Sequence, residues 1–169
     1  MSDELVTEFV LSARYGDVED ITQLLKENPE LSPAATNASG QTALHMAAAN
    51  GHLDVAKVLV NHLTPEQLDI QNEGGNTALH WAALNGHLDL VKLLVSTHAD
   101  PTIKNTGGRT AMYEAQQRGH DDIVDYLLSS YDPPKEGGSG DGKGEDEDEE
   151  DVPEDAYPGN GAVIEGIEK

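Results

Sequence analysis

Three stretches of the sequence repeat one another closely, at residues 40–52, 75–87 and 108–120. Each begins with a glycine, continues with Thr-Ala two residues later and ends in Gly-His. Equivalent positions are 35 residues apart between the first two stretches and 33 apart between the last two. Gly16 lies another 35 residues before Gly51, which predicts a fourth, divergent unit at the start of the chain. A period of this length predicts a solenoid, in which each unit buries its apolar face only against its neighbours.

Within each unit the pattern predicts two short helices. Thr42, Thr77 and Thr110 precede apolar runs and are predicted N-caps, because their hydroxyls can accept hydrogen bonds from free backbone N–H groups. The glycine that follows each threonine 9 residues later is predicted to end the first helix in a left-handed conformation. The segments after these glycines carry apolar residues three and four apart, which indicates a second helix with one buried face.

The run Thr-Ala-Leu-His at residues 42–45 and 77–80, with the period and the glycine spacing, resembles the ankyrin repeat. Alanine stands where the family signature has proline. The resemblance implies an all-α ankyrin-repeat solenoid of four helix-turn-helix units with short hairpin loops, followed by a disordered acidic tail. We predict a domain at residues 1–131 and a tail at 132–169, with units at approximately 5–36, 37–71, 72–104 and 105–131.

The first and last units depart from the repeat, as expected of units whose outer faces meet water. The first lacks the complete Thr-x-Leu-His signature. The last is polar where the inner units carry Trp81 or alanines, at residues Glu114, Gln116, Gln117 and Arg118. The second connection is two residues longer than the third, and we place the extra residues in an additional helical turn at 65–68.

Negative charge is the second dominant feature, with 10 basic and 32 acidic residues and a net charge of −22. Residues 132–169 hold 14 acids and 3 bases, hence −11 on 38 residues, and include seven consecutive acids at 145–151. Such a tail cannot bury a core and is predicted to be disordered. Either it is a solubilising appendage, or it shields a basic partner electrostatically. This charge disfavours nucleic acid and anionic membranes and favours basic proteins.

The sequence carries no signal of export or membrane insertion. It has no cysteine, its first residues lack a basic region and an apolar core, and no apolar run approaches a membrane span. We therefore expect a cytoplasmic and nuclear protein. No basic cluster resembles a nuclear localisation signal, so we expect nuclear entry to depend on a partner.

The seven histidines raise the question of metal or acid–base chemistry. Five of them recur with the repeat: His45 and His80 in the signature, and His52, His87 and His120 after the glycines. The family resemblance implies that the signature histidines hydrogen-bond to neighbouring loops. No metalloprotease helix motif, phosphate-binding loop or nucleophile elbow is present. We therefore expect no enzyme activity, no cofactor and no metal site.

The resemblance also implies where a partner binds, since in ankyrin proteins the first helices and the hairpin tips line a concave face. Carried over by position, the variable sites are Ala49, Gln117, Asn37, Ser39, Gln41, Asn105 and Arg109, together with the candidate protein-binding residues Met46, Asn50, Asn72, Glu73, Asn76, Trp81, Leu84, Asn85, Glu114 and Arg118. We predict that Trp81 is exposed as an anchor, because tryptophan is enriched where interfaces concentrate energy. The alternative is that it packs between repeats. An apolar groove edged by Glu73 and Glu114 suits a positively charged amphipathic helix.

The arrangement of four such units followed by an acidic tail resembles a narrower group of ankyrin-repeat proteins. In layout, and in the runs at 42–52 and 76–82, the chain is similar to fungal ankyrin-repeat chaperones dedicated to a KH-domain protein of the small ribosomal subunit. That resemblance implies a chaperone that holds the N-terminal region of a new, basic ribosomal protein, as a monomer in a one-to-one complex without direct nucleic acid. Two alternatives are an inhibitor that masks a transcription factor and a plain protein-interaction adaptor.

Overall fold

The computed structural model describes residues 2–130. The predicted tail at 132–169 lies outside the described residues. The described part of the chain contains nine helices: α1 (Asp3–Tyr15), α2 (Val18–Glu27), α3 (Ala43–Asn50), α4 (Leu53–Val60), α5 (Pro65–Leu68), α6 (Ala78–Leu84), α7 (Leu88–Ser96), α8 (Ala111–Arg118) and α9 (Asp121–Ser130). Among these, no helix has the length and apolar character needed to cross a membrane.

The helices form two rows. The first-helix row consists of α1, α3, α6 and α8, each packed on the next, and the second-helix row consists of α2, α4, α7 and α9. Alanines let the first helices approach closely, and residues such as Leu44, Leu79 and Leu90 fill the space between rows with 1% of their surface exposed. The predicted all-α solenoid is confirmed for the described residues.

The predicted helix caps are present. Thr42, Thr77 and Thr110 have extended backbones, and each side chain accepts a hydrogen bond from the backbone N–H three residues on. The extra turn predicted in the second connection is α5, whose own cap is Thr64. Gln67 completes that cap by accepting from the backbone N–H of Thr64 at 3.0 Å.

In each unit after the first, a histidine packs on a glycine of the unit before it. Gly51 has φ 78°, and a Cβ added there would lie 2.8 Å from Cε1 of His87. His52 lies in the same way against Gly16. The ring of His52 also contacts the carbonyl oxygen of Arg14, 2.9 Å from its Nε2. The glycines therefore serve two purposes: they adopt the left-handed turn, and their lack of a side chain leaves room for the histidine ring of the next unit.

The hairpin tips are closed by asparagine side chains. Oδ1 of Asn72 accepts hydrogen bonds from the backbone N–H groups of Gly74 and Asn76, at 2.9 and 3.0 Å. Asn37 and Asn105 close their loops with the same pattern. Successive tips are also bonded to one another by their backbones. The tips therefore form a continuous, hydrogen-bonded edge of the solenoid.

Candidate functional site

The candidate site follows the exposed side of the first-helix row and the adjoining tips. Counting back from the helix-ending glycines, Met46, Trp81 and Glu114 occupy equivalent positions on successive helices. Ten residues were predicted to bind a partner. Met46, Asn72, Asn76, Trp81, Leu84 and Glu114 are half-buried, and Asn50, Glu73, Asn85 and Arg118 are exposed.

Trp81 is half-buried, whereas the sequence predicts an exposed anchor. It packs against the hydrophobic core with part of its surface accessible. Its indole Nε1 is buried, and no hydrogen-bond acceptor lies within reach among the described residues. A buried donor without a partner costs roughly 1–3 kcal/mol. Trp81 therefore combines packing against the core with a partly accessible surface.

Met46 and Trp81 are joined to their neighbours on the site by equivalent hydrogen bonds. The amide nitrogen of Asn50 donates to the carbonyl oxygen of Met46 at 2.8 Å, and Asn85 donates to that of Trp81 at 2.9 Å. These bonds cap the last turn of α3 and of α6. In these contacts the two asparagines use only their amide nitrogens.

Two candidate residues at the tips are committed to the fold. Asn72 closes its own loop, as described above, so its side-chain oxygen is occupied. Asn76 accepts at its carbonyl oxygen from His45, 2.8 Å away, and at its side-chain oxygen from Asn105, 2.9 Å away. The sequence pattern marked these positions as variable, whereas the geometry gives them structural bonds. Glu73, by contrast, is an exposed residue of the same tip.

Glu114 is an internally paired acid rather than a free groove edge. Its side chain is only 12% exposed and lies 3.8 Å from the guanidinium of Arg109. It also accepts a hydrogen bond from the amide of Asn105 at 3.1 Å. The Arg109 guanidinium is further placed over the ring of Tyr113, 5.6 Å from its centroid. This cluster fixes the tip of the last unit to α8.

The signature histidines are buried structural links, and the predicted bonds to neighbouring loops are confirmed. Nδ1 of His45 accepts from the backbone N–H of Thr42 at 3.1 Å, so Nε2 carries the proton and donates to Asn76. His80 repeats the arrangement one unit later, with the carbonyl oxygen of Arg109 as its acceptor. Burial lowers the pKa of both rings, which keeps them neutral. Within residues 2–130, no three potential ligand side chains are grouped closely enough to hold a metal ion.

Two residues of the first unit belong to the same face and escaped the sequence prediction. Leu11 and Tyr15 stand at the positions equivalent to Met46 and Asn50, and their surfaces are 40% and 75% exposed. The incomplete signature of the first unit hid them. The signal that identifies them is the spacing of 35 residues between Gly16 and the next helix-ending glycine.

The chain belongs to the ankyrin-repeat family. The family model for ankyrin repeats in three copies matches residues 9–105 and 63–137. Among solved structures, a chain in the crystal structure of the yeast ribosomal protein Rps3 in complex with its chaperone Yar1 is 37% identical to this chain. The two superpose with a TM-score of 0.73, over 79% of this chain and 97% of that one.

A match to the human NAD-capped RNA hydrolase NUDT12 is more limited. The two sequences are 38% identical over 60 residues, which is 36% of this chain. The match spans only 13% of the human protein, and it is confined to ankyrin repeats. It therefore bears on the repeat architecture and not on hydrolysis.

Proposed function

We propose that this protein is a dedicated chaperone of a newly made small-subunit ribosomal protein and acts in ribosome biogenesis. The observation that carries the proposal is the likeness to a chain of the Rps3–Yar1 complex, at 37% identity over 97% of that chain. The fold adds physical support, since an ankyrin stack offers a continuous binding face. The client is a protein like Rps3, and its N-terminal segment lies along the first-helix row.

The middle of that row is suited to an apolar segment. Helices α3 and α6 contain no Asp, Glu, Lys or Arg, and they present Met46, Trp81 and Leu84. Methionine adapts to varied surfaces, and a tryptophan ring supplies a large apolar area at low entropic cost. An amphipathic segment of the client would lay its apolar side here, with its polar groups toward Asn50 and Asn85.

Charge supplies the second part of the proposed mechanism. A ribosomal protein binds RNA through basic surface and associates non-specifically until it is incorporated. A partner with a net charge of −22 attracts such a surface and competes with RNA for it. Half of this charge, −11, resides in residues 132–169, so we propose that the tail shields basic regions that the repeats do not cover. The complex is a one-to-one assembly without nucleic acid.

The distribution of basic residues bears on where in the cell the protein acts. The chain has 10 basic residues spread over its length, without a cluster that resembles a nuclear localisation signal. We propose that it meets its client in the cytoplasm and enters the nucleus through the client's own signal. Nuclear accumulation of the protein in cells depleted of the client would contradict this route.

The test is a pull-down from lysate at low and moderate salt, with the wild type beside Trp81→Ala and bound proteins identified by mass spectrometry. Leu128→Ala is the matched control, since Leu128 is 57% exposed on the second-helix row. Capture of one small-subunit ribosomal protein, lost with Trp81→Ala and kept with Leu128→Ala, would support the proposal. A spread of basic proteins that disappears with salt and ignores Trp81 would refute a dedicated client. Because Trp81 also packs on the core, the unfolding midpoint of each variant is measured alongside.

A further inference from the structure

A groove of about 730 Å³ lies at the first-unit end of the stack, apart from the central site. We call it the first-unit groove, and it is lined by Asp3, Glu4, Thr7, Glu8, Leu11, Ser12, Tyr15, Asp17 and Asp20. Leu11 and Tyr15 are two of the four large apolar side chains that stand exposed among the described residues. The groove thus combines an apolar floor with an acidic rim.

The alignment of the repeats indicates which structural element would fit this groove. Glu8, which is exposed, and Ser12, which is 7% exposed, stand at the positions that Ala43 and Ala47 occupy in α3. Those alanines are fully buried, and so are their equivalents in α6 and α8, because each first helix stacks on the one before it. Within residues 2–130 no helix stacks on this side of α1. The groove is therefore shaped as the seat of one more helix in the first-helix row.

The charge of the groove selects the chemistry of that helix. Five carboxylates line it, from Asp3, Glu4, Glu8, Asp17 and Asp20. The ion pairs found within residues 2–130 are Lys57 with Asp54 and Arg109 with Glu114, so no groove carboxylate has a cationic partner there. Asp17 is partly engaged as the cap of α2. An uncharged or acidic helix would leave this rim uncompensated, whereas lysines and arginines would neutralise it.

We propose that the first-unit groove binds an amphipathic, lysine- or arginine-bearing helix of the client, packed along α1 as an additional member of the first-helix row. The inference rests on the proposed function and adds a docking direction to it. The basic end of the client lies on Glu4 and Glu8, with apolar side chains on Leu11 and Tyr15, and its uncharged part continues over Met46. The charges of the first-helix row match this docking direction, since α1 is acidic and the central helices α3 and α6 contain no Asp, Glu, Lys or Arg.

The experiment measures the dissociation constant of the full-length protein for purified yeast Rps3, at about 0.1 M and about 0.5 M NaCl. Tyr15→Ala is expected to weaken binding roughly fivefold to thirtyfold at both salt concentrations, because an apolar anchor is removed. The double variant Glu4→Gln with Glu8→Gln is expected to weaken binding by a similar factor at low salt and much less at high salt. Both sites are solvent-facing, so the fold tolerates these changes.

Matched controls are Leu128→Ala for the apolar change and the double variant Asp89→Asn with Asp125→Asn for the charge change. Both control sites lie on the second-helix row and are expected to leave binding within twofold of the wild type. Binding that is unchanged in Tyr15→Ala and in the glutamate variant, but lost in Trp81→Ala, overturns the groove and leaves the proposed function standing. Absence of wild-type binding to Rps3 overturns both.

Discussion

At the scale of single residues, the histidines of the signature show how a titratable side chain becomes a structural part. His45 joins its own helix cap to the tip of the next unit, through Thr42 on one ring nitrogen and Asn76 on the other. Its ring is 1% exposed. The bonding pattern requires the neutral ring with its proton on Nε2, and a charged ring would break the bond to the threonine N–H.

Replacing His45 with alanine is expected to lower the free energy of unfolding by about 2–4 kcal/mol. The change leaves a buried N–H and a carbonyl without partners and opens a cavity. Urea denaturation followed by circular dichroism measures the effect. His62→Ala is the control, because His62 is exposed, and it should change stability by less than about 0.5 kcal/mol. Equal losses in the two variants would contradict the structural role.

The lowered pKa of His45 and of His80 also predicts how stability depends on pH. The unfolded chain binds protons near pH 6.5, whereas the folded protein, with depressed pKa values, does not. The free energy of unfolding therefore has its full value above about pH 6.5 and falls as the pH decreases below that value.

The fall is at most about 1.4 kcal/mol per pH unit for each histidine. Denaturation of the wild type and of His80→Gln from about pH 7.5 to about pH 5.5 measures it, and the variant should show a shallower slope. Asp69, whose pKa burial raises, is common to both proteins and cancels in the comparison. Parallel curves for the two proteins would refute the assignment.

At the scale of elements, the contact between a glycine of one unit and a histidine of the next sets the spacing of the stack. Gly51→Ala is expected to destabilise the protein by about 2–4 kcal/mol, since the new methyl group meets the ring of His87 as well as a left-handed backbone. Gly119→Ala meets the same backbone cost, about 1–2 kcal/mol, but no atom of the described residues within 4 Å. The difference between the two variants, measured by thermal unfolding, isolates the packing between units. No difference would show that the histidine moves aside freely.

The elements were the part of the fold most readily predicted from the sequence. Caps, helix-ending glycines and the extra turn at 65–68 follow from short-range rules, because threonine, glycine and proline restrict the backbone locally. The candidate site was predicted less well. The depth of Trp81 and the pairing of Glu114 depend on packing across units, which a one-dimensional pattern does not contain. Leu11 and Tyr15 were missed because the first unit keeps the spacing of the repeat but not its complete signature.

At the scale of the whole molecule, the described body and the tail divide the charge equally, −11 on 1–131 and −11 on 132–169. Deleting residues 132–169 is expected to slow association with yeast Rps3 roughly tenfold at low salt and to leave the dissociation rate nearly unchanged. Stopped-flow fluorescence at several salt concentrations measures both rates. Binding that is indifferent to the deletion at every salt concentration would favour an adaptor with an inert tail.

The helix-ending glycine of the last unit has a consequence for how such a protein can lengthen. Gly119 has φ 75°, like the other helix-ending glycines, although within residues 2–130 no histidine packs against it. A further 33-residue unit after α9 would bring its histidine to that position, where a Cβ built on Gly119 meets no atom of residues 2–130 within 4 Å. The stack can thus grow by whole modules while the first-unit end stays unchanged, so its length and its proposed recognition end can evolve independently.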